Sequence, residues 1–81
     1  MKKFYQVATV RNEYNEWIHY ESEDLEKAKD VYNYEIRHSD KGNTVEIREY
    51  ELEDNEIWDE LDDERKCIVL SVYNVIEETT L

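Results

Sequence analysis

The hydrophobic pattern opens with Phe4 to Val10, where aromatic, β-branched and small residues fill most positions and no glycine or proline interrupts. Apolar groups on both sides of an extended segment predict a strand in the centre of a sheet. Asn12-Glu13-Tyr14-Asn15 is turn-prone, and Glu16-Trp17-Ile18-His19-Tyr20-Glu21 then resumes an extended pattern. The two runs predict a β-hairpin with a loop of about four or five residues.

At Ser22 the period changes. A hydroxyl followed by Glu23 and Asp24 is a helix start, with acids where the N-terminal end of the helix dipole favours them. Leu25, Ala28, Tyr32 and Ile36 recur at i, i+3, i+7 and i+11, a narrow apolar stripe that predicts a helix running to about His38 and facing the sheet. Val31 flanks the stripe, Tyr34 lies opposite it, and Glu23/Lys27 and Glu26/Lys29 are opposite-charge neighbours. Arg37 and His38 suit the C-terminal end, and Ser39 to Asn43 is the exit turn, with Gly42 free to take positive φ.

Thr44 to Leu52 alternates with a change of phase: Val45 and Ile47 fall on one side, Tyr50 and Leu52 on the other. A β-bulge near Arg48 or Glu49 is expected to restore one apolar face and leave Glu49, Glu51 and Glu53 outward. Ile57, Trp58 and Leu61 then predict a short helix with one apolar side, capped by Asp54 or Asn55, with Glu56, Asp59, Glu60, Asp62 and Asp63 turned to solvent. Lys66 to Ile76 is a near-continuous apolar run that predicts a last strand buried on both faces, and Glu77 to Leu81 is expected to fray. The order predicts an α+β fold in a single domain over residues 1–81. Four antiparallel strands in a ββαβ-short α-β sequence carry the main helix on one face and a short acidic helix before the last strand.

Charge changes this picture in one place. The segment Glu49 to Glu64 holds ten carboxylates in sixteen residues and no Lys or Arg, so the other sixty-five residues carry only -2 of the formal -12. Within the expected helix Glu56/Glu60, Asp59/Asp63, Glu60/Glu64 and their i,i+3 neighbours are like-charged, at about 0.2 to 0.5 kcal/mol each and roughly 1 to 3 kcal/mol together. Asp62, Asp63 and Glu64 are also expected at the C-terminal end, where the dipole disfavours negative charge. A small domain has a net stability of only about 5 kcal/mol, so the repulsion motivates a functional reading.

The remaining composition is that of an ordinary folded domain, 40% hydrophobic with two Trp, seven Tyr and one Phe. Cys67 is alone, which leaves no intrachain disulfide and fits a reducing cytoplasm; it is expected as a small buried hydrophobe in the last strand. Met1-Lys2-Lys3 imitates the start of a secretory leader, but Gln6, Thr9, Arg11 and Asn12 break any apolar core, and no transmembrane run follows. Anionic lipid and nucleic acid would both be repelled.

No Gly-rich phosphate loop, Cys pair or nucleophile with a base is present, so a non-enzymatic protein without a cofactor is expected. His19 has no second ligand at metal spacing, and an EF-hand starting at Asp54 would place Trp58 at a ligand position with no glycine after it. Glu64-Arg65-Lys66 resembles the Glu-x-Lys element of metal-dependent nucleases, but chance accounts for three residues in an acidic region and a strongly anionic chain repels that substrate.

The candidate partner-binding residues are therefore Glu49, Glu51, Glu53, Asp54, Glu56, Asp59, Glu60, Asp62, Asp63 and Glu64. Alternate carboxylates on a strand stand roughly 6.8 Å apart, of the order of the phosphate spacing along one nucleic-acid strand. In size, acidity and mixed α/β pattern the chain resembles the small DNA-mimic proteins of phages and mobile elements, such as anti-CRISPR and anti-restriction proteins. That resemblance implies a basic nucleic-acid-binding partner, a CRISPR or restriction nuclease in the host cytoplasm, and no direct contact with nucleic acid. The other reading is a protein-protein interaction module or regulatory subunit that binds a basic partner without mimicry, with the acids serving only to steer the encounter.

Overall fold

A computed structural model describes every residue from Met1 to Leu81. β1 (Lys2–Asn12) and β2 (Asn15–Ser22) form a hairpin, followed by α1 (Leu25–His38) and β3 (Thr44–Leu52). A 3-10 turn (Trp58–Glu60), α2 (Asp63–Leu70) and β4 (Asn74–Thr80) complete the chain. The strands make one antiparallel sheet in the order β2-β1-β3-β4, so β1 is central and the α+β architecture is as expected. No helix is long and apolar enough to cross a membrane.

The apolar stripe places α1: Ala28 and Tyr32 are buried, Leu25, Val31 and Ile36 pack around them, and Tyr34 is exposed. Its cap is Asp24, not Ser22. The Asp24 carboxylate accepts from the N–H groups of Glu26 and Lys27, while the Ser22 hydroxyl accepts from Asp24 N–H one step earlier. In the exit turn Gly42 takes φ 96°, a conformation costly for any residue with a Cβ. The hairpin loop is tighter than expected. Asn12 pairs with Asn15, leaving Glu13 and Tyr14 as the turn, and the Asn12 side chain accepts from Tyr14 and Asn15 N–H.

The phase change in β3 has a different cause from the expected bulge. The ladder with β1 runs without a shift from Lys2↔Leu52 to Val10↔Thr44, so odd-numbered residues of both strands share one face and even-numbered residues the other. On the odd face Tyr5, Val7, Val45 and Ile47 pack with Ala28 and Tyr32 of α1. On the even face Phe4, Tyr50 and Leu52 pack with Trp58 and Val69. Each such side chain contributes about 1.5 to 3 kcal/mol by burial, and covering opposite faces at opposite ends lets one sheet support two small cores. The irregularities lie in the outer pairings. Between Ile47 and Arg48 the partner jumps from Glu77 to Val75, and between Val7 and Ala8 it jumps from Tyr20 to Ile18.

The largest departure is at Lys66 to Ile76. This is not a strand: Lys66 to Leu70 form the body of α2, and β4 begins only at Asn74. Of the apolar run in α2 only Val69 is buried, while Ile68 faces solvent and Cys67 is exposed, so the expected buried thiol is also corrected. The final residues do not fray either. Glu77 to Thr80 pair with β3, Leu81 packs against the α1 core, and its N–H and carbonyl bond Asn43 and Gly42.

Candidate functional site

The acidic segment is built around one buried ring. Trp58 is 8% exposed and stacks on Phe4 with ring centroids 4.4 Å apart, while Lys66 Nζ lies 5.4 Å from its ring centre. Leu61 packs against the same core, so the apolar residues anchor the segment as anticipated except for Ile57, which is half exposed. The helix expected from Glu56 onward is split. A 3-10 turn at Trp58–Glu60 has Ile57 as its N-cap with no side-chain cap bond, and α2 starts after Asp62. Neither Asp54 nor Asn55 caps a helix.

This split reverses the expected dipole effect. The Asp62 carboxylate accepts from Arg65 N–H at 2.8 Å, and Asp63 and Glu64 form the first turn of α2. Acids at a helix N-terminus are favoured by the dipole, so these three stabilise α2 instead of straining it.

The loop before the 3-10 turn is held by its own charges. Arg65 donates from Nε to Glu56 Oε2 at 2.7 Å and from Nη2 to Oε1 at 2.8 Å. Glu56 Oε1 also accepts from Glu53 N–H, and Lys2 Nζ donates to the Glu56 carbonyl. Arg65 first, then the Glu53 N–H, bring the Glu56 carboxyl down to about 2, and Arg65 is correspondingly raised.

The ten carboxylates divide accordingly. Glu49 and Glu51 lie on the odd face of β3 and share Lys3, at 3.5 and 3.0 Å. The hydrogen bond to Glu51 is the main reason the Lys3 ammonium is raised above its ordinary value. Asp54 faces the N-terminal ammonium at 3.4 Å, and Glu56 pairs with Arg65. Glu53, Asp59, Glu60, Asp62, Asp63 and Glu64 make no ion pair. Glu49, Glu51 and Glu53 line one groove with Arg65, Ile68 and Val69 of α2, while Asp59 lines another.

Folding adds acids that the charge run did not include. A groove of about 330 Å³ lies between the β2–α1 junction and the 3-10 turn, with Phe4, Ile57 and Trp58 as its apolar part. Glu21, Glu23 and Asp24 stand on one side of it and Asp59 on the other. Glu23 is paired with Lys2 at 3.0 Å, whereas Glu21 and Asp24 have no cation. The signal for them was in the sequence as a second acidic run, Glu21-Ser22-Glu23-Asp24-Leu25-Glu26, which reads first as a helix start. Glu21 and Asp24 thus join Asp59 at this groove, and Glu60, Asp62, Asp63 and Glu64 follow it in sequence as exposed acids.

A separate charged network is structural. Arg48, on the even face, donates from Nη2 to Glu16 Oε2 at 2.6 Å and from Nε to Glu46 Oε2 at 3.4 Å, and its guanidinium lies 5.1 Å from the centre of the Tyr73 ring. Burial opposes its charge, but the carboxylates of Glu16 and Glu46 outweigh that and raise it, while Glu16 is lowered by the same bond. Beside it Tyr50 Oη donates to Gln6 Oε1 at 2.7 Å. On the other face Thr9 Oγ1 and His19 Nε2 are 2.6 Å apart, with Glu35 of α1 3.6 Å from the same nitrogen. No group of three or more His, Cys, Asp or Glu is placed to hold a metal ion. No protein family matches the chain, and comparisons with curated proteins and with solved structures gave no match.

Proposed function

We propose that this protein is a non-enzymatic inhibitor that binds the Lys/Arg-lined nucleic-acid channel of another protein, with its acidic segment in place of nucleic-acid phosphates. The observation that carries this reading is that Asp59, Glu60, Asp62, Asp63 and Glu64 project from a segment anchored by Trp58 and none meets a cation of its own chain. Five exposed carboxylates within six residues, with Glu21 and Asp24 across the groove from Asp59, give this segment a strong local negative charge. At physiological salt its field reaches about 8 Å before screening, and it speeds encounter with a basic surface.

The target class is a host defence nuclease of the CRISPR or restriction kind, and the site of action is the cytoplasm of the cell that contains it. Asp54 and Glu56 serve this reading as scaffold, since each has its own cation within the chain, and Glu49 and Glu51 are half met by the Lys3 they share. The same pairing is what favours the second reading, an interaction module for a basic partner in which the acids cap helices and tie loops. Competition separates the two. Protein immobilised at low salt and loaded with a basic nuclease should release it when duplex DNA is added at constant ionic strength. Retention of the nuclease in saturating DNA would mean that the bound surface is not its nucleic-acid channel.

A further inference from the structure

β4 is shorter than the strand it pairs with. Its ladder with β3 stops at Glu49↔Asn74, whereas β3 and its ladder with β1 continue to Leu52. Leu81 N–H donates to the Asn43 carbonyl, so the peptide groups of odd-numbered β3 residues face the β4 side. Glu51 is the next odd residue past Glu49, and its N–H and C=O point into a lane that no strand occupies. Beside the lane is a groove of about 340 Å³, walled by Met1, Ile68, Val72 and Tyr73. All four are unusually open for apolar side chains: Met1 is 67% exposed, Ile68 54%, Val72 76% and Tyr73 43%.

We propose that this lane receives an extended segment of a partner protein in which apolar residues alternate with Lys or Arg, added beside β3 in line with β4. Side chains of a strand in that position point alternately to the two faces of the sheet. One set meets Ile68, Val72 and Tyr73, on the side where α2 packs; the other meets the carboxylates of Glu49 and Glu51, which have only Lys3 between them. Glu53, at the end of the lane, makes no ion pair, and Arg65, the one basic side chain lining the groove, is already held by Glu56. A second copy of this chain does not fit the charge, because it carries -12 and has no run that alternates apolar with basic residues. Binding by strand addition takes its affinity from main-chain bonds and its selectivity from alternate side chains. The lane is apart from the Asp59 to Glu64 surface, and the proposal stands without the inhibitor reading.

The test is a nuclear magnetic resonance titration of the whole protein with the acetylated, amidated peptide Lys-Val-Lys-Ile-Lys. A second peptide of the same sequence is N-methylated at the residues whose amides would face β3. The unmethylated peptide should saturate, shift Glu51, Val72 and Tyr73, and slow exchange of the Glu51 amide by about tenfold or more, while the methylated peptide binds at least about tenfold more weakly. Glu51→Pro, which removes the donor on the side away from β1, should match the methylated peptide, and Glu51→Gln should lose only about threefold. Equal binding of both peptides, shifts centred on Asp59 to Glu64, an unprotected Glu51 amide, or no saturable binding would each overturn the proposal. So would a dimer that buries the lane in the absence of peptide.

Discussion

Arg65 grips Glu56 with two parallel hydrogen bonds of 2.7 and 2.8 Å, and in doing so ties the first turn of α2 to the loop that leaves β3. The pair sets where Asp59 to Glu64 stand, although it contributes no charge to the surface. Glu56 has a depressed carboxyl, so its stabilisation is complete above its ordinary value of 4.5 and is lost as pH falls through about 2. Near-ultraviolet circular dichroism of the Trp58 environment should therefore change between those two values in the wild type. In Glu56→Gln that transition should vanish, and the starting signal should already be weaker.

Asp62 is predicted to matter as a cap more than as a contact. Asp62→Ala removes the acceptor for Arg65 N–H and should cost about 1 kcal/mol in urea denaturation, while Asp62→Asn should cost a few tenths. An Asp62→Ala loss no larger than that of Asp62→Asn would contradict the capping role.

Trp58 carries the acidic segment. Removing its ring leaves a cavity against Phe4, so Trp58→Ala should destabilise the protein by about 3 to 5 kcal/mol, enough to unfold a large share of it. Circular dichroism with urea measures this. Ile57→Ala, at a half-exposed position, should cost less than about 1 kcal/mol.

The Arg48 network makes an opposite use of charge. Arg48→Met would strand Glu46, which is 8% exposed, without its cation, and should cost about 3 kcal/mol, near the lower end for a broken buried pair because Glu16 remains half solvated. Glu16→Gln should cost less than half as much. The ratio of the two midpoint shifts in urea checks the assignment.

What the sequence revealed, and what it hid, follows from periodicity. The stripe Leu25, Ala28, Tyr32, Ile36 repeats for more than two turns, so α1 was legible to its last residue. Cys67-Ile68-Val69-Leu70 is too short to establish a period, and an apolar run of that length reads equally as a buried strand or a helix end. The deciding signal was Asp62-Asp63-Glu64, a cap followed by first-turn acids, which reads as a helix end if the helix is started too early. In β3 the shift from Val45 and Ile47 to Tyr50 and Leu52 was visible. Its meaning was not, because the same shift fits a bulge in a sheet covered on one face and a regular strand in a sheet covered on both. The acidic segment was legible as charge, but its pairing with Lys3, Arg65 and the N-terminus depends on contacts distant in sequence.

The central claim is that the unpaired carboxylates of the 3-10 turn and α2 make the contact with a basic partner. The most direct measurement compares wild type with Asp59→Lys/Glu60→Lys/Glu64→Lys, which spares the Asp62 cap, for binding to one DNA-displaceable basic nuclease across a salt series. The account predicts that the variant keeps its fold, losing only about 1 kcal/mol in urea from the cation placed in the first turn of α2, while affinity falls by about a hundredfold or more and its salt dependence flattens. Unchanged affinity in a folded variant would contradict it.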